Sequence, residues 1–180
     1  MRYGIAILLI LLIVVAVPNN VMAVEDPAML RREALLDATF ARMSAKFGIP
    51  KDLVKAIARQ ESDCHPLMIN INGKDYRPKT VREALWLCEY AASTGLSYDV
   101  GIMQVNRYWI RKYKIPHRML LSPADNIYMG CFILSGEIRR YGLTWKAVGK
   151  YHSPKDWRGA RYSRKILAHL RDILSERGNG

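Results

Sequence analysis

Glu61 is the residue of this sequence best placed to move a proton. It stands four residues after Ile57 and seven after Val54, so a helix sets its carboxyl at the edge of an apolar stripe rather than on a solvated face. Desolvation penalises the ionised form, and a glutamate raised to a pKa of roughly 6 holds a proton near neutral pH yet still releases it, as a general acid must. The same position also suits a glutamate at a helix end whose stem packs on apolar neighbours. A second group of candidates is the run Asp99-Val100-Gly101-Ile102-Met103-Gln104-Val105-Asn106. Gly101 permits close backbone approach. Gln104 and Asn106 offer paired donors and acceptors suited to sugar hydroxyls and acetamido groups, with Met103 as an apolar floor. The alternative is a strand-to-helix corner whose polar pair only caps the helix.

In order along the chain, Glu61-Ser62, the run Gly101 to Asn106, Asn126-Ile127 with Gly130, and Tyr151 resemble the motifs of the soluble lytic transglycosylases. The resemblance brings in Asn126, which early in a helix can orient an acetamido group or serve as a first-turn polar residue beside Ser122. It also brings in Tyr151, whose hydroxyl can hold the Glu61 carboxyl or a reacting sugar, or which can be a core aromatic with a wet tip. The resemblance extends roughly from Phe47 to Ser153. Ile102 stands where that family usually has leucine, and Lys150-Tyr151-His152-Ser153-Pro154 replaces an Ala-Tyr-Asn pattern. The segment Asn70 to Pro78, with Tyr151 to Pro154, is similar to the branch associated with conjugation and secretion machines.

The resemblance implies a lysozyme-like fold and a division of labour. Glu61 is then the general acid and base, Ser62 supports its carboxyl, and Met103, Gln104 and Asn106 line a sugar subsite completed by Asn126 and Tyr151. An ordinary glycosidase needs a second carboxylate, for which Asp99 is the candidate. A transglycosylase does not. Glu61 would protonate the β-1,4 oxygen between N-acetylmuramic acid and N-acetylglucosamine while the substrate's own N-acetyl group steadies the developing charge. It would then deprotonate the muramic 6-hydroxyl, which closes a 1,6-anhydro ring without water, metal or cofactor. Two rivals keep the same fold: a lysozyme in which Asp99 activates water, and a non-catalytic wall-binding assembly protein that docks a secretion apparatus.

Elements to position these residues can be read from the chain. Leu36, Phe40, Met43 and Phe47 form the stripe of a helix within residues 26–46 that Gly48 and Pro50 end. A second helix starts near Lys51 and carries Glu61. Between Met68 and Tyr76 an Asn72-Gly73 turn flanked by β-prone residues predicts a short hairpin, with little sheet elsewhere beyond a strand before Gly101. Thr80 with Glu83 caps a helix ending at Gly95, and another begins near Asn106. Ser122-Pro123 opens a helix that Gly142 ends, Thr144 opens a short one reaching Tyr151, and Arg161 to Arg177 forms a basic last helix. The expected class is therefore mainly α, an α+β lysozyme-like single domain with a small β-hairpin insert.

Composition supplies the compartment and the partner. Arg2, the apolar run Ile5 to Val17, the break at Pro18 and the small residues near Ala23 follow the plan of a secretory signal peptide over residues 1–23, leaving 24–180 as the domain. The apolar run is too short for the roughly 20 residues of a spanning helix. The formal charge of +12 becomes +11 when that segment, with its single charge at Arg2, is removed. An exported basic monomer meets the carboxylates of peptidoglycan strands rather than nucleic acid, and no recognition-helix or aromatic RNA motif is present. The expected location is thus the periplasm or beyond. Cys64, Cys88 and Cys131 lack CxxC spacing and a histidine pair, which excludes a zinc site on pattern. If any pair is bridged, Cys64 with Cys131 is favoured, because one closes the Glu61 helix and the other lies on the Asn126 helix.

Overall fold

The computed structural model describes residues 26–178. The expected export segment lies outside them. Helix α1, Pro27–Phe47, begins where Asp26 accepts the Ala28 amide at 2.9 Å and ends in a left-handed Gly48. Helix α2, Lys51–Ser62, follows at once, burying Leu53, Val54, Ala56, Ile57 and Ala58 on one face. Asp63 and Cys64 then take left-handed backbone angles that turn the chain away sharply from the Glu61 end.

The hairpin forms as the sequence predicts. Strands β1, Ile69–Ile71, and β2, Lys74–Tyr76, pair antiparallel across Asn72 and Gly73, both at positive φ. Helix α3, Val81–Ser93, is capped by the Thr80 hydroxyl. The sheet is larger than a hairpin, because β3, Tyr98–Val100, pairs with β1 and β4, Val105–Asn106, pairs with β3, giving the order β2-β1-β3-β4. Strand β3 is the one expected before Gly101, whereas the two residues of β4 are too short to show an alternating pattern and only their pairing reveals them.

Helix α4, Arg107–Tyr113, and a single turn α5, His117–Leu120, lead into α6, Pro123–Tyr141, whose start is capped by Ser122. Helix α7, Trp145–His152, and α8, Asp156–Gly178, close the fold. Helix α8 starts five residues before the expected Arg161. Gly159, within that added stretch, is where α8 crosses α7: a Cβ on Gly149 would lie 2.8 Å from the Gly159 carbonyl carbon. Two bare glycines let the backbones touch.

Two apolar clusters result. One joins Phe40, Val54, Ile57, Ile127, Leu134 and Ile166 from the long helices; the other joins the sheet with α3, α4 and α5 through residues such as Ile69, Cys88, Val100 and Ile110. Tyr151 packs against both. All three cysteines are free thiols, so the favoured Cys64–Cys131 bridge is not formed. Cys64 lies in a surface hollow beside Ser122, Pro123 and Ala124, whereas Cys131 is fully buried about two turns further along α6. No described helix is long and apolar enough to cross a membrane.

The glycines make opposite predictions. Gly149→Ala forces α7 and α8 apart and should cost about 1–3 kcal/mol. Gly136→Ala, whose Cβ would meet only the tip of Arg139 at 3.8 Å, should instead gain roughly 0.5–1 kcal/mol from helix propensity. Urea midpoints of the two variants test the pair.

Candidate active site

The carboxyl of Glu61 emerges at the C-terminal end of α2 into a cleft of about 380 Å³ between the two clusters. Asn70, Asp75, Asp99, Gln104, Asn106, Trp109, Tyr151 and His152 share its lining. Desolvation pushes the Glu61 pKa from 4.5 up to about 7. A hydrogen bond from the Tyr162 hydroxyl, 2.6 Å from Oε1, pulls the other way, the charge of Asp99 adds to the rise, and Lys165 opposes it. Glu61 thus holds its proton near neutrality and has a fixed orientation, the two properties of a general acid.

The floor of the cleft is a row across the sheet. Asp75 pairs with Asn70, Asn70 with Asp99, and Asp99 with Asn106, one residue from each of four strands. Asn70 Nδ2 donates to Asp75 at 2.6 Å and Asn106 Nδ2 to Asp99 at 2.8 Å. Burial raises the Asp99 pKa, the Asn106 bond lowers it, and Asp75 raises it again. Asn106 also caps α4, accepting from the Tyr108 amide at 2.9 Å. Asn106 thus lines the cleft and caps the helix at once.

The remaining expected site residues divide between cleft and support. Gln104, at φ 46°, donates from Nε2 to the carbonyls of Met68 and Gly101, leaving its oxygen as the group offered to the cleft. Ser62 does not reach the Glu61 carboxyl; its buried hydroxyl bonds the Ile102 carbonyl at 2.8 Å. Met103 is wholly buried against Gly130, where a Cβ would lie 2.7 Å from it, and so forms no exposed floor. Asn126, also wholly buried, accepts the Met103 amide and donates to the carbonyls of Val100 and Leu120, each at 2.8 Å. Its amide is spent on backbone and has no hydrogen left for an acetamido group. Tyr151 lines the cleft, but its hydroxyl bonds the Met103 carbonyl at 2.7 Å.

Tyr162 is the functional residue that the sequence reading passed over. It sits in the second turn of α8, and its only signal is the buried stripe it shares with Ile166 and Ile173. Nothing in that spacing points to a glutamate 101 residues away. Asn70 and Asp75 were equally hidden inside a hairpin whose turn and family resemblance single out neither side chain. Among the described residues no three histidine, cysteine or acidic side chains gather as metal ligands.

Comparison with known proteins agrees with the geometry. Residues 38–165 match the family model described as Transglycosylase SLT domain. Similar proteins include the invasion protein IagB of Salmonella typhi, 33% identical over 136 residues that make up 71% of each chain. Protein IpgF of Shigella flexneri is 29% identical over 117 residues, 61% of this chain and 63% of the relative. The type IV secretion system protein virB1 of Brucella abortus is 32% identical over 87 residues, 47% of this chain and 37% of the relative.

Two outcomes follow from the proton on Glu61. Because its folded pKa near 7 exceeds the unfolded value of 4.5, the folded protein binds the extra proton between them. Stability is then fully present below about pH 4.5 and declines as pH rises to about 7, by at most about 3 kcal/mol. Glu61→Gln escapes this decline, so its thermal midpoint should exceed wild type at about pH 8 and lose that advantage by about pH 4. Tyr162→Phe removes a bond that favours the charged form. Its basic limb in kcat/KM should move to higher pH, with kcat about tenfold lower through lost positioning; an unmoved limb would separate Tyr162 from the Glu61 proton.

Proposed function

The chain belongs to the transglycosylase SLT domain family and is a lytic transglycosylase of peptidoglycan, and we propose that Glu61 performs the cleavage with formation of 1,6-anhydromuramic ends. The observation that carries this reading is a single carboxyl kept protonated near neutrality, fixed by a tyrosine, at the wall of a polar cleft. In the first half of the reaction it gives its proton to the glycosidic oxygen. In the second, now a carboxylate hydrogen-bonded to Tyr162, it takes the proton of the muramic 6-hydroxyl as that oxygen bonds to carbon 1. The acid is regenerated and no water enters.

The supporting side chains have separate tasks in this reading. Gln104 and the Asp75-Asn70-Asp99-Asn106 row offer acceptors and donors to sugar hydroxyls, and Trp109 offers an apolar face. Ser62, Met103 and Asn126 hold the backbone that presents Gln104 rather than touching sugar. Asp99 lies in the same cleft and raises the proton affinity of Glu61, and it is also the group that would activate water in a hydrolase. The segment 1–23 is read as the export leader that delivers the domain to the periplasm. A relative named as a type IV secretion system protein, beside one named as an invasion protein, supports service to a secretion or conjugation apparatus that needs a local opening in the wall.

Digestion of purified sacculi in heavy-oxygen water, followed by mass spectrometry, tests the chemistry. Anhydro ends one water lighter than hydrolysed products, without heavy label, are expected. Labelled reducing muramic ends as the main product would turn the enzyme into a lysozyme. Glu61→Gln should retain wall binding and lose at least about a hundredfold in turnover.

A further inference from the structure

Behind the catalytic wall lies a second recess, with Tyr162 in its lining. Its cationic side consists of Arg158, Arg161 and Lys165, spaced three and four residues apart on one face of α8. None of the three is ion-paired among the described residues. The exposed Trp157 extends the recess, with the Arg158 guanidinium 5.2 Å above its ring. Recess and cleft share His152, which lines both and stacks on Tyr162 with ring centroids 4.5 Å apart. Burial, then Lys165 and Arg158, lower the His152 pKa, so the shared wall stays neutral.

The two hollows have opposite polarity. Asp75 and Asp99 make the cleft acidic, while the recess presents three unpaired cations. A glycan strand is neutral along most of its sugars, but each muramic residue carries a lactyl-linked peptide with free carboxylates. An acidic cleft repels that peptide and a basic recess one ring away attracts it. Tethering to the bound sugar raises the local concentration of carboxylate, so contacts that are individually weak at an exposed surface become selective. We propose that Arg158, Arg161 and Lys165 form a binding site for the stem-peptide carboxylates of the muramic residue at the cleft, making peptide-bearing strands the preferred substrate. This rests on the reading of Glu61 as the acid that cleaves at that residue.

The test compares intact glycan strands with the same strands stripped of peptide by an amidase, counting released ends of either chemistry. Wild type should favour intact strands by about tenfold in kcat/KM at low salt, and the preference should shrink as salt rises. Arg158→Gln with Arg161→Gln should lose that preference while matching wild type on stripped strands; Lys165 is left in place because it acts on Glu61. A control of equal charge loss, Arg31→Gln with Arg82→Gln, should keep the preference. Equal wild-type rates on both substrates, equal losses by the double variant on both, or a control as impaired as the variant would each overturn the site. Absence of cleavage by wild type on either substrate would instead bring down the reading of Glu61, and the peptide site with it.

Discussion

The turn from Gly101 to Gln104 lies between two clusters and has no ladder of its own; the Gly101 amide reaches the Met68 carbonyl and the Gln104 amide the Gly101 carbonyl, but the other peptide groups must find side-chain partners or remain unsatisfied. An unpaired buried group costs about 1–3 kcal/mol. Asn126 meets this demand at the Met103 amide, and also takes the carbonyls of Val100, just before the turn, and of Leu120 in α5. Ser62 takes the Ile102 carbonyl, Tyr151 the Met103 carbonyl, and Gln104 the carbonyls of Gly101 and Met68. The same turn leaves no room at Gly101, where a Cβ would lie 2.2 Å from the Asn126 amide nitrogen and φ is +79°. Glycine, asparagine, serine and tyrosine from four separate elements are thus answers to one accounting problem. Once it is solved, Gln104 has a single place to be.

The sheet shows a related economy. Like charges directly opposite on neighbouring strands repel. The register interleaves Asp75 and Asp99 with Asn70 and Asn106, so each carboxylate faces an amide that donates to it. The outcome is a hydrophilic floor that carries negative charge without an adjacent acidic pair. Glu61 stands across from it on a helix belonging to the other cluster, where burial rather than hydrogen bonding dominates its proton affinity. Two carboxyl environments of different origin therefore meet in one cleft, a separation that suits one acid and a neighbouring polar surface.

The sequence made the helices, the hairpin and Glu61 legible because each has a local cause: caps at Asp26, Thr80 and Ser122, a turn at Asn72-Gly73, an apolar stripe that runs up to the glutamate. Resemblance located Ser62, Met103, Asn126 and Tyr151 as a set, but their tasks depend on which way each side chain points, and three of them point into the interior. Helix spacing cannot distinguish a polar residue facing substrate from one completing a buried backbone. Tyr162 and the Asp75-Asn70 pair escaped for a different reason. Their partners are supplied by tertiary contacts between distant segments, and a strand of three residues leaves no periodic trace. The unbridged cysteines belong to the same class, since closeness in the chain to two site helices says nothing of where along those helices the thiols lie.

Glu61 lies on a helix of one cluster and the polar floor on the sheet of the other, and Tyr151 is the aromatic that touches both. The burial that lifts the Glu61 pKa to about 7 is therefore a property of the seam between the halves and not of α2 alone. Packing that loosens this seam, even far from the cleft, admits water to the carboxyl and returns it toward an ordinary glutamate, so the acid strength of the site is set by core residues that never meet a sugar.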